Sequence, residues 1–210
     1  MRRVGFAVLT LALFHGAIES GGVQTAADAP LARGTLLVAT PDLPDPNFTK
    51  TVVLVLSYGA DGAMGLIVNR RTDLALPDVV PGLEVPAKPR QLVYAGGPVS
   101  PEGLLMLVRS RDEIENALQV FGDVWVSDSR ELLERFAKKP SKAVFRVYAG
   151  YAGWAPRQLD AEVGRGDWIV IPADGDIVFN DNPSQVWRSL VPPEENPFVT
   201  ELHPSEPLQP

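Results

Sequence analysis

The feature that most constrains this fold is a pair of short apolar segments around a tight turn, at residues 51–57 and 63–68. Both segments are rich in β-branched residues, and each is too short to form a stable helix by itself. The dipeptide Asp61-Gly62 between them is a turn signal, because glycine adopts the backbone angles that tight turns require. The sequence therefore predicts a β-hairpin whose second strand leads into Asn69-Arg70.

The rest of the chain alternates short strands with a few helices. Further strands are predicted at 34–39, 91–95, 104–108, 119–121, 124–126, 143–148, 168–171 and 177–179. Helices are predicted at 128–139, 156–163 and 183–190, and a shorter one at 73–80. We expect 104–108 to pair with 91–95, and Asp128 to cap the helix that it begins. Because hairpins outnumber β–helix–β units, the predicted fold class is α+β, a single domain with a mostly antiparallel or mixed sheet.

Charge and residue types exclude several function classes. The 210 residues carry a formal net charge of −7, which disfavours direct nucleic-acid binding because such binding depends on clustered Lys and Arg. The chain has no cysteine, so disulfides, thiolate nucleophiles and Cys-ligated metals are excluded. Its histidines, His15 and His203, lie near the termini, which leaves no base for a Ser-His-Asp triad in the domain. No phosphate-binding glycine motif is present, and we predict no cofactor.

The two ends of the chain differ in composition from the middle. Basic residues at positions 2 and 3 precede an apolar run at 4–14, which is the pattern of a secretory signal peptide. We therefore predict a signal peptide and linker at 1–29, a folded domain at 30–191 and a disordered proline-rich tail at 192–210. A true signal peptide implies export to the periplasm; otherwise the protein is cytoplasmic. No transmembrane helix is expected in the mature chain.

Asn69 and Arg70 are the first candidates for ligand contacts, because a guanidinium binds carboxylates or phosphates while an amide fixes their orientation. The alternative is a structural role on loop backbone. The block from Tyr151 to Trp154 could present aromatic rings, and its alternative is core packing. The predicted ligand-binding residues are Asn69, Arg70, Gly96, Gly97, Tyr151, Trp154 and Gln158.

Aspartates form two small groups in loops, one with Asp42 and Asp45 and the other with Asp174, Asp176 and Asp181. Neither group has the spacing of a calcium-binding loop. Turn formation and helix capping explain these residues better, so we predict no metal site.

Several blocks together resemble the YqgE/AlgH family. They are residues 34–39, 45–48, 62–70, 96–99 and 150–154 with Gln158-Leu159, in matching order between positions 31 and 190. The resemblance implies one α+β domain whose sheet bends into a pseudo-barrel flanked by a few short helices. It also carries the family label of transcriptional regulator, although the family is largely uncharacterised.

This chain departs from the family pattern at four positions. Tyr58 and Val108 stand where members commonly have histidine, Arg71 where they have proline, and Arg157 where they have glycine. Any family activity that needs those histidines is therefore not expected here.

Three functions remain. The first is a non-enzymatic binding or regulatory domain with a protein or small-molecule partner. The second is a hydrolase-like enzyme in which Asp45 or Asp61 acts as a base beside Arg70. The third is the transcriptional regulator that the family label suggests. The absence of a catalytic histidine favours the first.

Overall fold

The computed structural model describes residues 29–84, 91–138 and 144–193, which contain ten strands and five short helices. The strands are β1 (Thr35–Ala39), β2 (Val52–Gly59), β3 (Gly62–Ile67), β4 (Arg71–Ala75), β5 (Leu92–Ala95), β6 (Val99–Arg109), β7 (Leu118–Phe121), β8 (Val124–Ser127), β9 (Val144–Trp154) and β10 (Trp168–Pro172). The helices are α1 (Leu76–Val79), α2 (Arg130–Lys138), α3 (Gln158–Arg165), α4 (Gly175–Val178) and α5 (Pro183–Leu190). A 3-10 turn lies at Pro46–Phe48.

One path runs across the sheet in the order β10, β1, β2, β3, β9, β6, β8 and β7. Each neighbouring pair on this path is antiparallel. The strands β4 and β5 form a branch, in which β5 lies parallel to β9. The sheet curls into a half-barrel with a few short helices, so the predicted α+β class and single domain are confirmed.

The central strands are buried on both faces, which explains their continuous apolar sequence. In β1, Leu36 and Val38 belong to the hydrophobic core that also contains α5, whereas Leu37 and Ala39 point into a second core that contains Trp154. A third core lies under α2. The first strand is therefore covered on both sides.

The long strand β9 serves two parts of the sheet. Its first half lies between β6 and β5, where Val147 is opposite Met106 and Val93. Its second half pairs with β3 through residues 152–154. The two halves meet at Gly150, whose φ of 71° lies in the left-handed region that favours glycine. We call this junction, with Gly96, Gly97, Gly150 and Tyr151, the glycine corner.

Elements with strong local signals lie where the sequence predicts them. The hairpin of β2 and β3 is confirmed, with Val53 opposite Ile67. The strands predicted at 119–121 and 124–126 are also confirmed, and as β7 and β8 they form a smaller hairpin. Helix α5 occupies the predicted residues, with Pro183 in its first turn.

The predicted pairing of 91–95 with 104–108 is wrong. The first segment, as β5, pairs with β4 and β9, and the second, as part of β6, pairs with β8 and β9. The intervening strand β9 comes about fifty residues later in the chain, and a local pattern carries no information about such a distant partner.

Four predicted boundaries or element types also need correction. Residues 177–179 are not a strand, because the Asp174 carboxylate caps the N–H of Asp176 at 2.7 Å and starts helix α4. In α2 the capping side chain is Ser129, which accepts from the Leu132 N–H at 3.2 Å, rather than Asp128. The segment 73–80 is divided between β4 and α1, and the strand predicted to end at 148 continues to the end of β9.

The predicted signal peptide and proline-rich tail lie almost entirely outside the described residues, and both stay predictions. Within the described ranges, no helix has the length and apolar character needed to cross a membrane.

Candidate functional site

The Asn69 side chain links the start of β2 to the segment that follows β3 through two hydrogen bonds. Its Oδ1 atom accepts a hydrogen bond from the Val52 N–H at 2.8 Å, and its Nδ2 atom donates to the Lys50 carbonyl at 3.0 Å. Both ends of the amide are therefore engaged by backbone. This is the structural alternative that the sequence left open.

Arg70 has a similar role on the adjoining loop. Its Nη1 atom donates to the Asn47 carbonyl at 2.9 Å, and its Nη2 atom lies 3.5 Å from the Thr49 carbonyl. On the same loop, the Asp45 carboxylate accepts from the Asn47 N–H at 2.8 Å and caps the 3-10 turn. Burial lowers the pKa of the Arg70 guanidinium from its ordinary value. Together these contacts fix the loop that precedes β2.

Asp61 lies at the opposite end of the hairpin from Arg70. The six residues of β3 lie between them, which corresponds to about 20 Å at the rise of a β-strand. These two groups therefore cannot act on one substrate atom.

The predicted glycines belong to the glycine corner, where two backbones touch. A Cβ atom on Gly96 would lie 2.3 Å from the Gly150 carbonyl oxygen, and one on Gly97 would lie 2.1 Å from the Tyr151 carbonyl carbon. A Cβ atom on Gly150 would in turn lie 2.4 Å from the Gly97 oxygen. Any side chain would force these strands apart, so the glycines are explained by close packing.

Trp154 and Gln158 lie at a separate concavity of about 190 Å³, between the loop before β2, the end of β9 and helix α3. We call it the Trp154 pocket. Its aromatic and polar side chains are Phe48, Trp154, Trp168, Asp45, Gln158, Glu162, Arg165 and Asp167. The pocket therefore combines an apolar floor with charged groups, which is the usual composition of a ligand site.

Three mutually packed rings form the floor. The Phe48 ring stacks on Trp154 with centroids 5.9 Å apart, and meets Trp168 edge to face at 5.4 Å. The two indoles cross at 6.1 Å in a second edge-to-face contact. All three side chains are more than nine-tenths buried, so the floor is rigid.

Glu162 holds the two indoles in place. Its Oε2 atom accepts from the Trp154 and Trp168 Nε1–H groups at 2.8 and 2.9 Å, and its Oε1 atom accepts from Gln158 Nε2 at 2.9 Å. The Gln158 Oε1 atom accepts in turn from the Ala155 N–H at 3.0 Å. Gln158 and Glu162 are four residues apart on α3, which places them on one helix face.

The remaining charged groups lie around this core. Arg165 Nη2 lies 2.5 Å from Asp167 Oδ2, and the arginine side chain is 58% exposed while that of the aspartate is only 14% exposed. Asp45 reaches the pocket from the loop that Arg70 fixes. Arg70 therefore helps to position Asp45, although Arg70 itself does not line the pocket.

The predicted ligand residues therefore divide into two sets. Trp154 and Gln158 line the Trp154 pocket, whereas Asn69, Arg70, Gly96, Gly97 and Tyr151 do not. Sequence reasoning missed Glu162, although its spacing from Gln158 was a usable signal. It also missed Trp168, which was interpreted only as part of a strand.

A second and larger concavity of about 330 Å³ lies between α1, β6 and α2. Most of its lining is apolar, including Val80, Leu104 and Leu133. Its serines have structural bonds: Ser127 donates to the Asn116 carbonyl, and Ser129 caps α2. None of the predicted ligand residues lies in it, and we consider the smaller pocket the better candidate because polar and aromatic groups converge there.

Two aspartates of the second group, Asp174 and Asp176, have structural contacts too. Asp174 caps α4, and the Asp176 carboxylate lies 2.5 Å from Arg109 Nη1. The Nε atom of Arg109 also contacts the Asp123 carboxylate, at 2.9 Å. These bonds raise the pKa of the Arg109 guanidinium. In the part of the chain that the structure describes, no group of three His, Asp or Glu side chains is placed to hold a metal ion.

The four residues that depart from the family pattern lie in different surroundings. The Tyr58 hydroxyl donates to Asp160 on α3 at 2.5 Å, and this bond raises the pKa of the tyrosine. Val108 is fully buried under α2, and Arg71 is exposed on β4. Arg157 precedes α3 with φ 63° and ψ −1°, a left-handed conformation that explains a preference for glycine there.

A family model described as AlgH-like matches residues 36–193. A UPF0301 protein of Anaeromyxobacter sp. (strain K) is 39% identical over 176 residues, which cover 78% of this chain and 89% of that protein. A UPF0301 protein of Idiomarina loihiensis is 36% identical over 158 residues, covering 73% and 85%.

Solved structures show the same similarity. The solution structure of the AlgH protein from Pseudomonas aeruginosa is matched with a TM-score of 0.62 and 32% identity, covering 77% of this chain and 88% of that one. The X-ray crystal structure of a Corynebacterium diphtheriae protein is matched with a TM-score of 0.67 and 25% identity, covering 82% and 92%.

Proposed function

This chain belongs to the AlgH-like family, and we propose that it is a non-enzymatic binding or regulatory domain that holds its ligand in the Trp154 pocket. The observation that carries the proposal is the convergence of two indoles and a glutamine on one carboxylate, Glu162, at the wall of an open concavity. Such a site is preorganised, since its side chains already have fixed positions before a ligand arrives.

The bonding of Glu162 supports binding rather than catalysis. A general base must direct a free lone pair at a proton of the substrate. Three of the roughly four lone-pair sites on the Glu162 carboxylate instead accept hydrogen bonds from protein side chains. The hydrolase alternative has little support elsewhere, because Asp45 caps a turn and the full length of β3 separates Asp61 from Arg70.

The size of the pocket limits the ligand. Sites for drug-sized molecules have volumes of about 300–1,000 Å³. A volume of about 190 Å³ suits one side chain of a protein partner or a molecule of similar size, and is too small for a nucleotide. The proposed partner is therefore a protein that inserts a side chain, or a small molecule.

The four tryptophans of the chain provide a direct test. Trp154 and Trp168 line the pocket, whereas the indole N–H groups of Trp125 and Trp187 donate to the carbonyls of Ser110 and Ala39 and do not line it. The full-length ¹⁵N-labelled protein is titrated with N-acetyl amino-acid amides of each side-chain type. The four indole N–H signals are assigned with single Trp→Phe variants.

We expect at least one amide to shift the Trp154 and Trp168 signals saturably, with a Kd of about 1 mM for so small a ligand. The Trp125 and Trp187 signals should stay in place. If no amide gives saturable shifts, or if all four signals move together, the proposed site is wrong.

A further inference from the structure

We infer that the group bound in the Trp154 pocket is a cation that carries N–H donors, either an alkylammonium or a guanidinium. This inference rests on the proposed function, because it names the ligand class of the same pocket. The evidence is the charge of the lining, the unused acceptor atoms and the aromatic floor.

The charge of the lining is negative. Three carboxylates, Asp45, Glu162 and Asp167, face one guanidinium, that of Arg165. The guanidinium is already paired with Asp167, so it is not available to attract an anion. An anionic ligand would meet net repulsion in a partly enclosed site, where charges are screened less than on an open surface.

Two carboxylate oxygens of the lining are also unpaired. Within the described residues, Asp45 uses Oδ1 to cap its turn and Asp167 uses Oδ2 for Arg165, which leaves one oxygen of each without a hydrogen-bond partner. One Nε2–H of Gln158 and both indole N–H groups, by contrast, are directed at Glu162, and Arg165 donates to Asp167. A ligand that brings N–H groups would satisfy these acceptors, and hydrogen bonds between charged partners are the strong ones.

The floor favours the same class. Indole and phenyl rings attract a cation placed over their faces, and Trp gives the strongest such interaction. The alkyl part of an ammonium or guanidinium side chain would contact the ring atoms of Phe48, Trp154 and Trp168. A volume of about 190 Å³ is compatible with a chain of a few carbons and one cationic group.

The first test compares ligands of matched shape by the same indole N–H signals. The probes are n-butylammonium, ethylguanidinium, n-butyramide and butyrate, with tetramethylammonium as a cation that has no N–H donor. We expect the two N–H cations to bind at least about tenfold more tightly than the neutral amide or tetramethylammonium, and butyrate not to bind. Addition of 0.5 M NaCl should weaken the cations selectively.

Equal or tighter binding of butyramide or butyrate would overturn the cation assignment and leave the pocket itself intact as a binding site. If no probe and no amino-acid amide shifts the Trp154 and Trp168 signals, the proposed function fails as well. Comparison of n-butylammonium with acetyl-Gly-Lys-Gly-amide distinguishes two sources of the cation, a side chain of a protein and a small metabolite. Tighter binding of the peptide supports a cationic side chain of a protein, and tighter binding of the free amine supports a small metabolite; both retain the cation.

The second test removes one charge and keeps the local fold. In Asp45→Asn the amide oxygen can still accept from the Asn47 N–H, so the turn remains capped. Asp42→Asn is the matched control, because Asp42 lies exposed on the same loop and does not line the pocket.

We expect the Kd for n-butylammonium to rise about tenfold in Asp45→Asn and less than about twofold in Asp42→Asn. Asp167→Asn provides an independent second variant and should weaken the cation by a similar factor. Unchanged affinity in both pocket variants, with thermal unfolding curves like those of the parent protein, would overturn the inference.

Discussion

The glycine corner and the Trp154 pocket lie on the same strand, β9, and use their residues in opposite ways. At the corner, Gly96, Gly97 and Gly150 bring two backbones so close that no Cβ atom fits. At the pocket, four residues further along β9, side chains converge on Glu162 around an open volume. The corner depends on the absence of side chains from its glycines, whereas the pocket depends on side chains that surround an open volume.

This difference shows that a dense motif is an incomplete guide to a ligand site, because its blocks hold residues of the glycine corner as well as pocket residues such as Trp154 and Gln158. The blocks that resemble the family include Asn69-Arg70 and the glycine pairs, and nearly all of their polar atoms bond to backbone. Glu162, at the centre of the pocket, belongs to none of these blocks. A recognisable block therefore does not by itself separate the residues that fix the fold from those that line the pocket.

Of the variants that test this contrast, Gly150→Ala should have the largest effect on stability. The new Cβ atom would lie 2.4 Å from the Gly97 oxygen, and the residue would keep a φ of 71°. Overpacking and left-handed strain together predict a loss of roughly 3–5 kcal/mol in the free energy of unfolding, measured by chemical denaturation.

Gly164→Ala is the matched control, because Gly164 lies within α3 and a Cβ atom there has nothing within 4 Å. This variant should be about 0.5–1 kcal/mol more stable than the parent. If Gly150→Ala is as stable as the parent protein, the corner does not need glycine for close approach.

Asn69→Ala tests whether the strand-ending amide is architectural. It removes the acceptor for the Val52 N–H and the donor to the Lys50 carbonyl, so the free energy of unfolding should decrease by about 2 kcal/mol. The affinity of the folded variant for n-butylammonium should not change. Asn47→Ala, at an exposed side chain of the neighbouring loop, should cost less than about 0.5 kcal/mol.

The opposite outcome for Asn69 would break the comparison. A variant that keeps its stability and loses the indole N–H response to the ligand would assign Asn69 to the binding site, as the sequence first suggested.

Tyr148→Phe should stabilise the β9 segment next to the corner. The Tyr148 hydroxyl is fully buried and, among the described residues, has no hydrogen-bond partner. Its removal should raise the free energy of unfolding by about 1 kcal/mol at pH 7, because an unsatisfied buried polar group is unfavourable.

The pH dependence gives a second measurement on the same variant. Burial raises the pKa of Tyr148, so the folded protein keeps this proton while an unfolded tyrosine loses it above a pH of about 10. Stability that depends on Tyr148 is therefore complete below that pH and decreases as the pH rises further. The alkaline loss should be smaller in Tyr148→Phe, and a variant less stable than the parent at both pH values would indicate that the hydroxyl has a partner.

Arg157→Gly should have the smallest effect. Glycine relieves the left-handed strain at φ 63°, but it also increases the entropy of the unfolded chain, which leaves a net gain of about 0.5 kcal/mol. Arg157→Ala keeps the strain and should give no gain. Because Arg157 does not line the pocket, ligand affinity should be unchanged in both variants; equal gains from Gly and Ala would mean that the side chain, not φ, is responsible.

Much of the fold was predictable because its signals are local. The hairpin of β2 and β3, the smaller hairpin of β7 and β8, and helix α5 follow from apolar periodicity and turn residues within a few positions. The errors concern distant partners or competing caps: β5 pairs with β9 rather than β6, and Asp174 starts a helix where a strand was predicted. Of the candidate site, the sequence identified Trp154 and Gln158 by residue type but not the carboxylate that joins them.

The sequence by itself determined the family, the α+β class and most elements, because these depend on which residues follow one another. Only the tertiary structure decided which side chains meet. Glu162 receives Trp154 from eight residues before it and Trp168 from six residues after it, and Asp45 reaches the same pocket from a loop far earlier in the chain. The spacing of Gln158 and Glu162 is visible locally, but the approach of Asp45 and of the two indoles depends on strand order and register, which the packing of the whole sheet sets.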